Sequence, residues 1–139
     1  SKAAVAGPGY PIAAMIEVRW FDAEHKAVLW IFHADATIEA FLAAADQTDA
    51  MTVSQSLYDV VADVSQVAML PATIINVLRQ RHIRAPANYG LTVIVGANVF
   101  LRAILGVAVQ LAPIRGRYVL ADTIDEACRF LQARHQVGC

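Results

Sequence analysis

The side chains best suited to chemistry are scattered along this sequence rather than grouped. It contains four histidines, at positions His25, His33, His82 and His135. They lie on four different predicted elements, and no two of them have the spacing of a metal-binding pair. The serines lack the Gly-x-Ser-x-Gly context of an activated hydrolase nucleophile. We therefore predict no metal site, no cofactor and no catalytic residue, and we expect the histidines in solvated turns or at helix ends.

Two aspartates share the third predicted strand. Asp59 and Asp63 are four positions apart, which places them on the same face of a strand. Asp63 lies near the carboxyl end of that strand, where open α/β sheets bind their ligands, so it is a candidate site residue. A turn or capping role is the more ordinary interpretation of an aspartate at this position.

The two cysteines and the one glycine-containing strand–helix junction are weaker signals. Cys128 and Cys139 are too few for a disulfide framework or a zinc-ligand cluster, and we expect Cys128 to be a small packed residue of the last helix. The segment Gly96-Ala-Asn98 could offer backbone N–H groups to an anion. A single glycine favours instead a tight turn in which Asn98 caps the following helix.

The elements that position these residues follow from hydrophobic periodicity. Alternation over residues 16–20 and an apolar run over residues 28–32 predict an antiparallel hairpin. Further strands are predicted at residues 57–64, 91–95 and 118–121, and helices at about 38–50, from Pro71 to about 82, at about 99–111, and after Thr123. The order ββαβαβαβα predicts an α/β fold: a five-stranded mixed sheet with an N-terminal antiparallel hairpin and about four helices.

Composition excludes several classes of protein. The chain has 139 residues, a length that suits one domain. Its 11 Lys and Arg against 12 Asp and Glu give a net charge of −1, which argues against a nucleic-acid partner. Hydrophobic residues make up 58% of the chain, where soluble domains have about 45–50%. The chain is therefore too apolar to be disordered and unusually apolar for a solitary monomer.

Two segments need separate interpretation. Residues 1–14 are small, nearly uncharged and broken by glycine and proline, so no signal-peptide segment forms. We expect a flexible leader or tag-like arm over residues 1–14, a single domain over residues 15–139, and a cytoplasmic location. The apolar stretch Leu91–Ile114 is long enough for a membrane span. Because Arg102 and Gln110 fall inside it, a buried strand followed by an apolar helix is the preferred interpretation, and no membrane span is predicted.

The third predicted helix is apolar on nearly every side. Its polar residues form one narrow stripe, so packing one face on a sheet leaves other apolar side chains uncovered. Monomers rarely expose large apolar patches, and a second copy of the chain is the simplest cover. The residues predicted for this dimer or partner surface are Phe100, Leu101, Ile104 and Leu105. Burial under the N-terminal arm or a neighbouring helix is the alternative.

The segment after the third strand resembles a known family. The run from Asp63 to Ile75, DVSQVAMLPATII, is similar to the central segment of the sulphate transporter and anti-sigma-factor antagonist (STAS) fold. In that family an apolar strand ends in Asp-x-Ser and is followed by a helix that starts at an Asp-Ser-Ser-Gly-like motif. The run from Thr123 to Ala127, TIDEA, resembles the start of the family's final helix. The likeness is greatest to STAS-like, SEC14-like bacterial proteins of unassigned function.

This resemblance implies a small, non-catalytic regulatory or protein-interaction module. In anti-sigma-factor antagonists the helix-start serine is phosphorylated, but that position is Ala72 here, preceded by Pro71, and the hydroxyl is missing. Thr73 follows without the flanking Asp and Gly of the motif. The predicted regulatory contacts are Asp63, Ser65, Pro71, Ala72 and Thr73. The predicted partners are a second copy of the chain and a regulatory protein; the alternative function is the binding of a small hydrophobic ligand or lipid, while an enzyme is disfavoured.

Overall fold

A computed structural model describes residues 12–139. Most of the predicted leader, residues 1–11, lies outside the described residues. The elements are α1 (Ile12–Met15), β1 (Ile16–Trp20), β2 (Ala27–Phe32), α2 (Ile38–Thr52), β3 (Tyr58–Asp63), α3 (Ile74–Ile83), β4 (Tyr89–Val95), α4 (Val99–Ala108), β5 (Tyr118–Ala121) and α5 (Ile124–Arg134). The predicted α/β fold and its order ββαβαβαβα are confirmed, with one short additional helix in front.

The five strands form one mixed sheet in the order β1-β2-β3-β4-β5. β1 and β2 pair antiparallel, and each later strand pairs parallel with the one before it. Each parallel strand is therefore added next to the preceding one, always toward the same edge of the sheet. Because crossovers between parallel strands are right-handed, α2, α3 and α4 all lie on one face, which we call the first face. The other, second face packs against α5.

The alternation of side chains along the strands separates two cores. On the first face, Trp30, Val60 and Ile94 pack with Leu101 and Leu105 of α4. On the second face, Leu29, Val61 and Val93 pack with Leu131 of α5. Burial on both faces explains why the central strands are continuous apolar runs rather than alternating ones.

The helix starts follow local capping chemistry. The side chains of Thr37, Asn98 and Thr123 each accept a hydrogen bond from a backbone N–H in the first turn of α2, α4 and α5, respectively. Two predicted boundaries were wrong. α3 begins at Ile74 rather than near Pro71, after a turn over residues 72–73. α4 ends at Ala108 because the N–H groups beyond Val109 bond three residues back, Gln110 N to Val107 O and Leu111 N to Ala108 O, and these bonds end the α-helix in a tighter turn.

The C-terminus is fixed by a disulfide. Cys128 of α5 is bonded to Cys139 at the end of the chain, whereas the sequence predicted Cys128 only as a packed residue. Val137 of the intervening tail is buried in the second-face core. The sequence does not predict this disulfide, because the two cysteines are eleven positions apart and become neighbours only where the chain turns back after α5.

A helix that crosses a membrane must be long and apolar along its whole length. Within residues 12–139, none of the helices has both the length and the apolar character that a bilayer span requires. The apolar stretch that raised the question is divided between β4 and α4, as predicted.

Candidate functional site

A cavity lies between the first face of the sheet and the helices that cover it. Its volume is about 120 Å³, close to that of engineered cavities of about 150 Å³ that stay dry and bind benzene. The cavity is therefore large enough for one small ring or a short aliphatic chain. Its walls are mainly apolar; the strands contribute Trp30, Phe32, Tyr58, Val60, Ala62, Tyr89, Ile94 and Tyr118, and the helices contribute Phe41, Ile74, Leu78, Leu101 and Leu105.

The cavity exists because side-chain sizes differ along the sheet. Val60 and Ala62 present short side chains at the centre of β3, under the helical layer. Around them the lining consists of large aromatic side chains, including Tyr89 and the pair Trp30 and Phe41, whose rings are in edge-to-face contact. A void surrounded by aromatic side chains lacks the close packing of a filled core, so an apolar molecule that entered it would gain contacts.

One end of the cavity carries polar groups. His82, in the last turn of α3, has its Nε2 atom 2.8 Å from the hydroxyl of Tyr118. The Tyr89 hydroxyl lies 2.6 Å from Oγ1 of Thr92. The other ring nitrogen of His82, Nδ1, is buried and has no hydrogen-bond partner among residues 12–139. The cavity thus combines an apolar body with hydrogen-bonded polar groups at one end, while Nδ1 of His82 has essentially no surface open to the cavity.

The electrostatic environment keeps these polar groups uncharged at neutral pH. Burial, followed by the nearby charges of Arg117 and Arg81, lowers the pKa of His82 to about 4. Burial also raises the pKa of Tyr118 well above its ordinary value, and that of Tyr89 as well. The two arginines are themselves held in place: Arg81 pairs with Asp49, and Arg117 donates hydrogen bonds to the carbonyl oxygens of Tyr89 and Gly90.

The segment from Asp63 to Thr73, which we call the strand-end segment, forms part of the cavity wall. Asp63 accepts hydrogen bonds from the backbone N–H and the hydroxyl of Ser65, at 3.0 and 2.7 Å, which is the ordinary turn role of an aspartate at a strand end. Leu70 and Pro71 line the cavity. Ala72 and Thr73 follow directly and are exposed, and the side chain of Thr73 makes no capping hydrogen bond.

The loops before α2 and α4 hold the strand-end segment. Asp35 accepts hydrogen bonds from the backbone N–H groups of Ala68 and Met69. Asn98 donates from its side-chain amide to the carbonyl oxygens of Val67 and Ala68. Since parallel strands end at the same edge of a sheet, the loops after β2, β3 and β4 meet here, as the predicted position of Asp63 implied.

The predicted partner surface on α4 is only partly exposed. Phe100 is 67% exposed, and Ile104 is half-buried. Leu101 and Leu105 are 1% and 6% exposed because they face the sheet and the cavity. The prediction that these two leucines lie on an accessible surface was wrong: the protomer covers them with its own first face. The exposed apolar residues of α4 are instead Val99, Phe100 and Val107.

Asp59 is separated from the cavity by the sheet itself. Its fully buried carboxylate accepts hydrogen bonds from Nε and Nη2 of Arg134, from Nε2 of His135 and from the backbone N–H of Leu91. Burial acts to raise the pKa of this carboxyl, but the hydrogen bonds outweigh it and lower the pKa. With all its partners in place, Asp59 is a structural residue that ties α5 to the sheet.

Sequence reasoning missed the polar end of the cavity. Its position in the sequence predicts only that His82 lies at a helix end, where cations are favoured. A second signal was present: Ile74, Leu78 and His82 recur every four residues, which places the histidine on the buried face of α3. The partners on β4 and β5 carried no such signal, because their proximity to His82 depends on how α3 crosses the sheet.

These features define the class of fold. A mixed five-stranded sheet with an N-terminal hairpin, three crossover helices on one face and a final helix on the other is the STAS-like fold predicted from the sequence. Its likeness to a solved structure of the anti-sigma factor antagonist SpoIIAA in its unphosphorylated form confirms this prediction, with a TM-score of 0.59 over 85% of this chain and 96% of that one. The two sequences are 11% identical, so the likeness shows the fold alone. No protein-family model and no curated protein sequence matches the chain.

Proposed function

We propose that this protein is a non-catalytic regulatory module that binds a small, mainly apolar molecule in the cavity between the sheet and helices α2–α4. The observation that carries the proposal is the cavity itself, with its apolar lining and the hydrogen-bonded polar groups at one end. Binding sites for small molecules have this composition: apolar walls with a few placed polar groups. The hydrophobic-ligand alternative from the sequence is therefore the function that the geometry supports best.

The strand-end segment supplies a route from ligand to partner. Leu70 and Pro71 line the cavity, while Ala72 and Thr73 are exposed immediately beside them. Occupation of the cavity would bias the position of this segment, and a regulatory protein in contact with it would sense the change. Because Ala72 has no hydroxyl to phosphorylate, the module needs a different input, and ligand occupancy is one.

The test is a pair of substitutions on α3 with ethylbenzene as the probe. In the unaltered protein, ethylbenzene should shift the methyl NMR signals of cavity residues such as Leu78 and Ile94 and raise the unfolding temperature. Ile74→Phe, which fills the cavity, should abolish both effects. Ile75→Phe is the matched control, because Ile75 is half-buried and lies outside the cavity lining. An unaltered protein whose spectrum ignores saturating ethylbenzene would contradict the proposal.

A second candidate function is self-association through the outer side of α4. Phe100 and Val107 are 67% and 58% exposed and lie seven positions apart, on one side of the helix. Val99, beside them, is 75% exposed. A homodimer would cover these side chains, and sedimentation at micromolar concentration distinguishes it from a monomer.

A further inference from the structure

We infer that two copies of this protein associate through α4 in an antiparallel pair whose two-fold axis passes beside Ala103. This inference rests on the second candidate function, self-association, and specifies which residues meet across the contact. It is independent of the cavity, which Leu101 and Leu105 line from the opposite side of the helix.

The outer surface of α4 is exposed and carries no charge. Successive residues of an α-helix are about 100° apart around its axis, so Ala103 lies on the side opposite to the buried residues of α4, which are Leu101, Leu105 and Ala108. The exposed residues without a polar side chain on this outer surface are Ala103 itself, Val99, Phe100, Gly106 and Val107. In a lone copy of the protein this whole surface faces water.

The outer surface is symmetric about Ala103. Val99 and Phe100 lie four and three positions before it, and Gly106 and Val107 lie three and four positions after it. In an antiparallel pair centred on Ala103, the first end of one helix therefore faces the second end of the other. Phe100 then packs against Val107 of the partner subunit, and Val99 lies beside Gly106 of the partner subunit. Both copies use the same surface, as a two-fold contact requires.

Packing within the protomer does not explain Gly106. Within residues 12–139, a Cβ atom at this position would meet nothing within 4 Å, so the protomer has room for a side chain there. Glycine inside a helix is also less stable than alanine. In the antiparallel pair, the missing side chain leaves space for Val99 of the partner subunit and lets the two helices approach closely.

Charge favours the antiparallel orientation. Arg102, the charged residue of α4, lies at the edge of the outer surface, and its guanidinium is paired with Asp122 of its own protomer at 2.7 Å. The contact therefore brings no unpaired like charges together. An antiparallel pair also places the positive N-terminal end of each helix dipole beside the negative C-terminal end of the other, whereas a parallel pair places like ends together.

The length of α4 sets the expected strength of the contact. The helix has ten residues and is therefore about 15 Å long. A contact of this length belongs with the small interfaces, below about 1,200 Å² in total, that weak complexes use. We therefore expect a dissociation constant that is roughly micromolar rather than nanomolar.

Sedimentation equilibrium over concentrations on both sides of that constant tests the contact. The unaltered protein should form dimers, and Ala103→Glu should be monomeric, because it brings two carboxylates together at the two-fold axis. Ala43→Glu is the matched control, since Ala43 is an exposed alanine of α2; this variant should dimerise like the unaltered protein.

Gly106→Leu separates a role in association from a role in folding. In dilute solution it should raise the unfolding temperature of the monomer, because leucine is a better helix former and the protomer has space for it. It should weaken dimerisation by roughly tenfold, because the new side chain occupies the place of Val99 of the partner subunit. Dimerisation that is unaffected by Gly106→Leu would contradict the proposed contact.

Cysteine cross-linking tests the orientation, since Cys128 and Cys139 are already bonded to each other. A mixture of the Phe100→Cys and Val107→Cys proteins should form disulfide-linked dimers with one copy of each under mild oxidation. Val107→Cys alone should not cross-link, because in the antiparallel pair the two copies of position 107 lie at opposite ends of the contact. A parallel pair would instead link Val107→Cys to itself.

A dimer that survives Ala103→Glu, or one in which Val107→Cys links to itself, would overturn the inference and leave self-association through another surface or orientation. A protein that stays monomeric at every concentration would overturn both the inference and the second candidate function. Neither result bears on the cavity. If Ala103→Glu does not fold, the cross-linking pair and Gly106→Leu decide the question.

Discussion

Arg134, at the end of α5, donates two hydrogen bonds to Asp59 of β3, from Nε to Oδ2 at 2.7 Å and from Nη2 to Oδ1 at 3.0 Å. The two residues are 75 positions apart. The carboxylate is fully buried, whereas the arginine side chain is 31% exposed. This ion pair fastens the last helix to the middle of the sheet, and the arrangement is of the two-bond type that gives arginine its geometric specificity.

Asp59→Asn should destabilise the protein by about 3 kcal/mol, because breaking a buried ion pair removes the charge that compensates its partner. Chemical denaturation measures the loss. Asp122→Asn is the matched control: Asp122 pairs with Arg102 but its side chain is 78% exposed, and exposed pairs contribute within about 1 kcal/mol. Equal effects of the two substitutions would mean that burial does not distinguish the two ion pairs.

His82 should make stability fall between about pH 6.5 and pH 4. Burial and two nearby arginines hold the pKa of His82 at about 4 in the folded protein, below its ordinary value of 6.5. Over that range the unfolded chain binds a proton that the folded protein does not, so acid favours unfolding. The difference corresponds to about 3 kcal/mol, which partial exposure reduces to about 2 kcal/mol.

Denaturant titrations at pH 7 and pH 4.5 measure this dependence, and His82→Phe should remove it. Asp59 affects stability at lower pH than His82 does, because its pKa in the folded protein is below the ordinary value of 3.8. The stabilisation from its ionised carboxylate is complete above pH 3.8 and is lost as the pH falls through the pKa of the folded protein. A stability that stays constant from pH 7 to pH 4.5 in the unaltered protein would contradict the buried, neutral state of His82.

Two substitutions on α4 separate core from surface. Leu105→Glu should unfold or strongly destabilise the protein, by at least about 3 kcal/mol, because it places an unpaired charge among buried apolar side chains. Phe100→Glu should change the free energy of unfolding by no more than about 0.5 kcal/mol, since Phe100 is 67% exposed. Denaturation and sedimentation are measured on both. If Phe100→Glu proves as destabilising as Leu105→Glu, the assignment of the two sides of α4 is wrong.

Cys139→Ser should lower the free energy of unfolding by about 2 to 3 kcal/mol, the entropic effect expected when a bridge across an eleven-residue separation is removed. Thermal unfolding with and without dithiothreitol measures it. Reduction should destabilise the unaltered protein by the same amount and leave the Cys139→Ser variant unchanged. A variant that still responds to dithiothreitol would contradict the Cys128–Cys139 pairing.

The location of the protein bears on this disulfide. The sequence predicts a cytoplasmic location, whereas stable disulfides are characteristic of oxidising compartments rather than the cytosol. Rapid alkylation of the protein in its own cells would trap the redox state of Cys128 and Cys139. That state shows whether the protein is in an oxidising or a reducing compartment. Fully reduced thiols are the result expected of a cytoplasmic protein.

The sequence by itself determined the elements and their order. Apolar alternation located β1, the side-chain cap at Asn98 located the start of α4, and the strand–helix alternation determined a mixed sheet. These features are local: hydrophobic period and capping depend on residues within one or two turns of each other. The displacement of the α3 start from Pro71 to Ile74 is a small departure of the same local kind.

Tertiary structure alone decided the candidate site. Contacts between elements far apart in the chain decide whether Leu101 or Phe100 faces the sheet and which hydroxyl meets His82. They also decide where a void remains between the layers, and the path of the chain after α5 decides whether Cys139 reaches Cys128. A helix that is apolar on nearly every side does not show from its own sequence which side the sheet will cover. The physical reason is that packing between layers is set by the sizes of side chains from several elements at once, and no single segment contains that information.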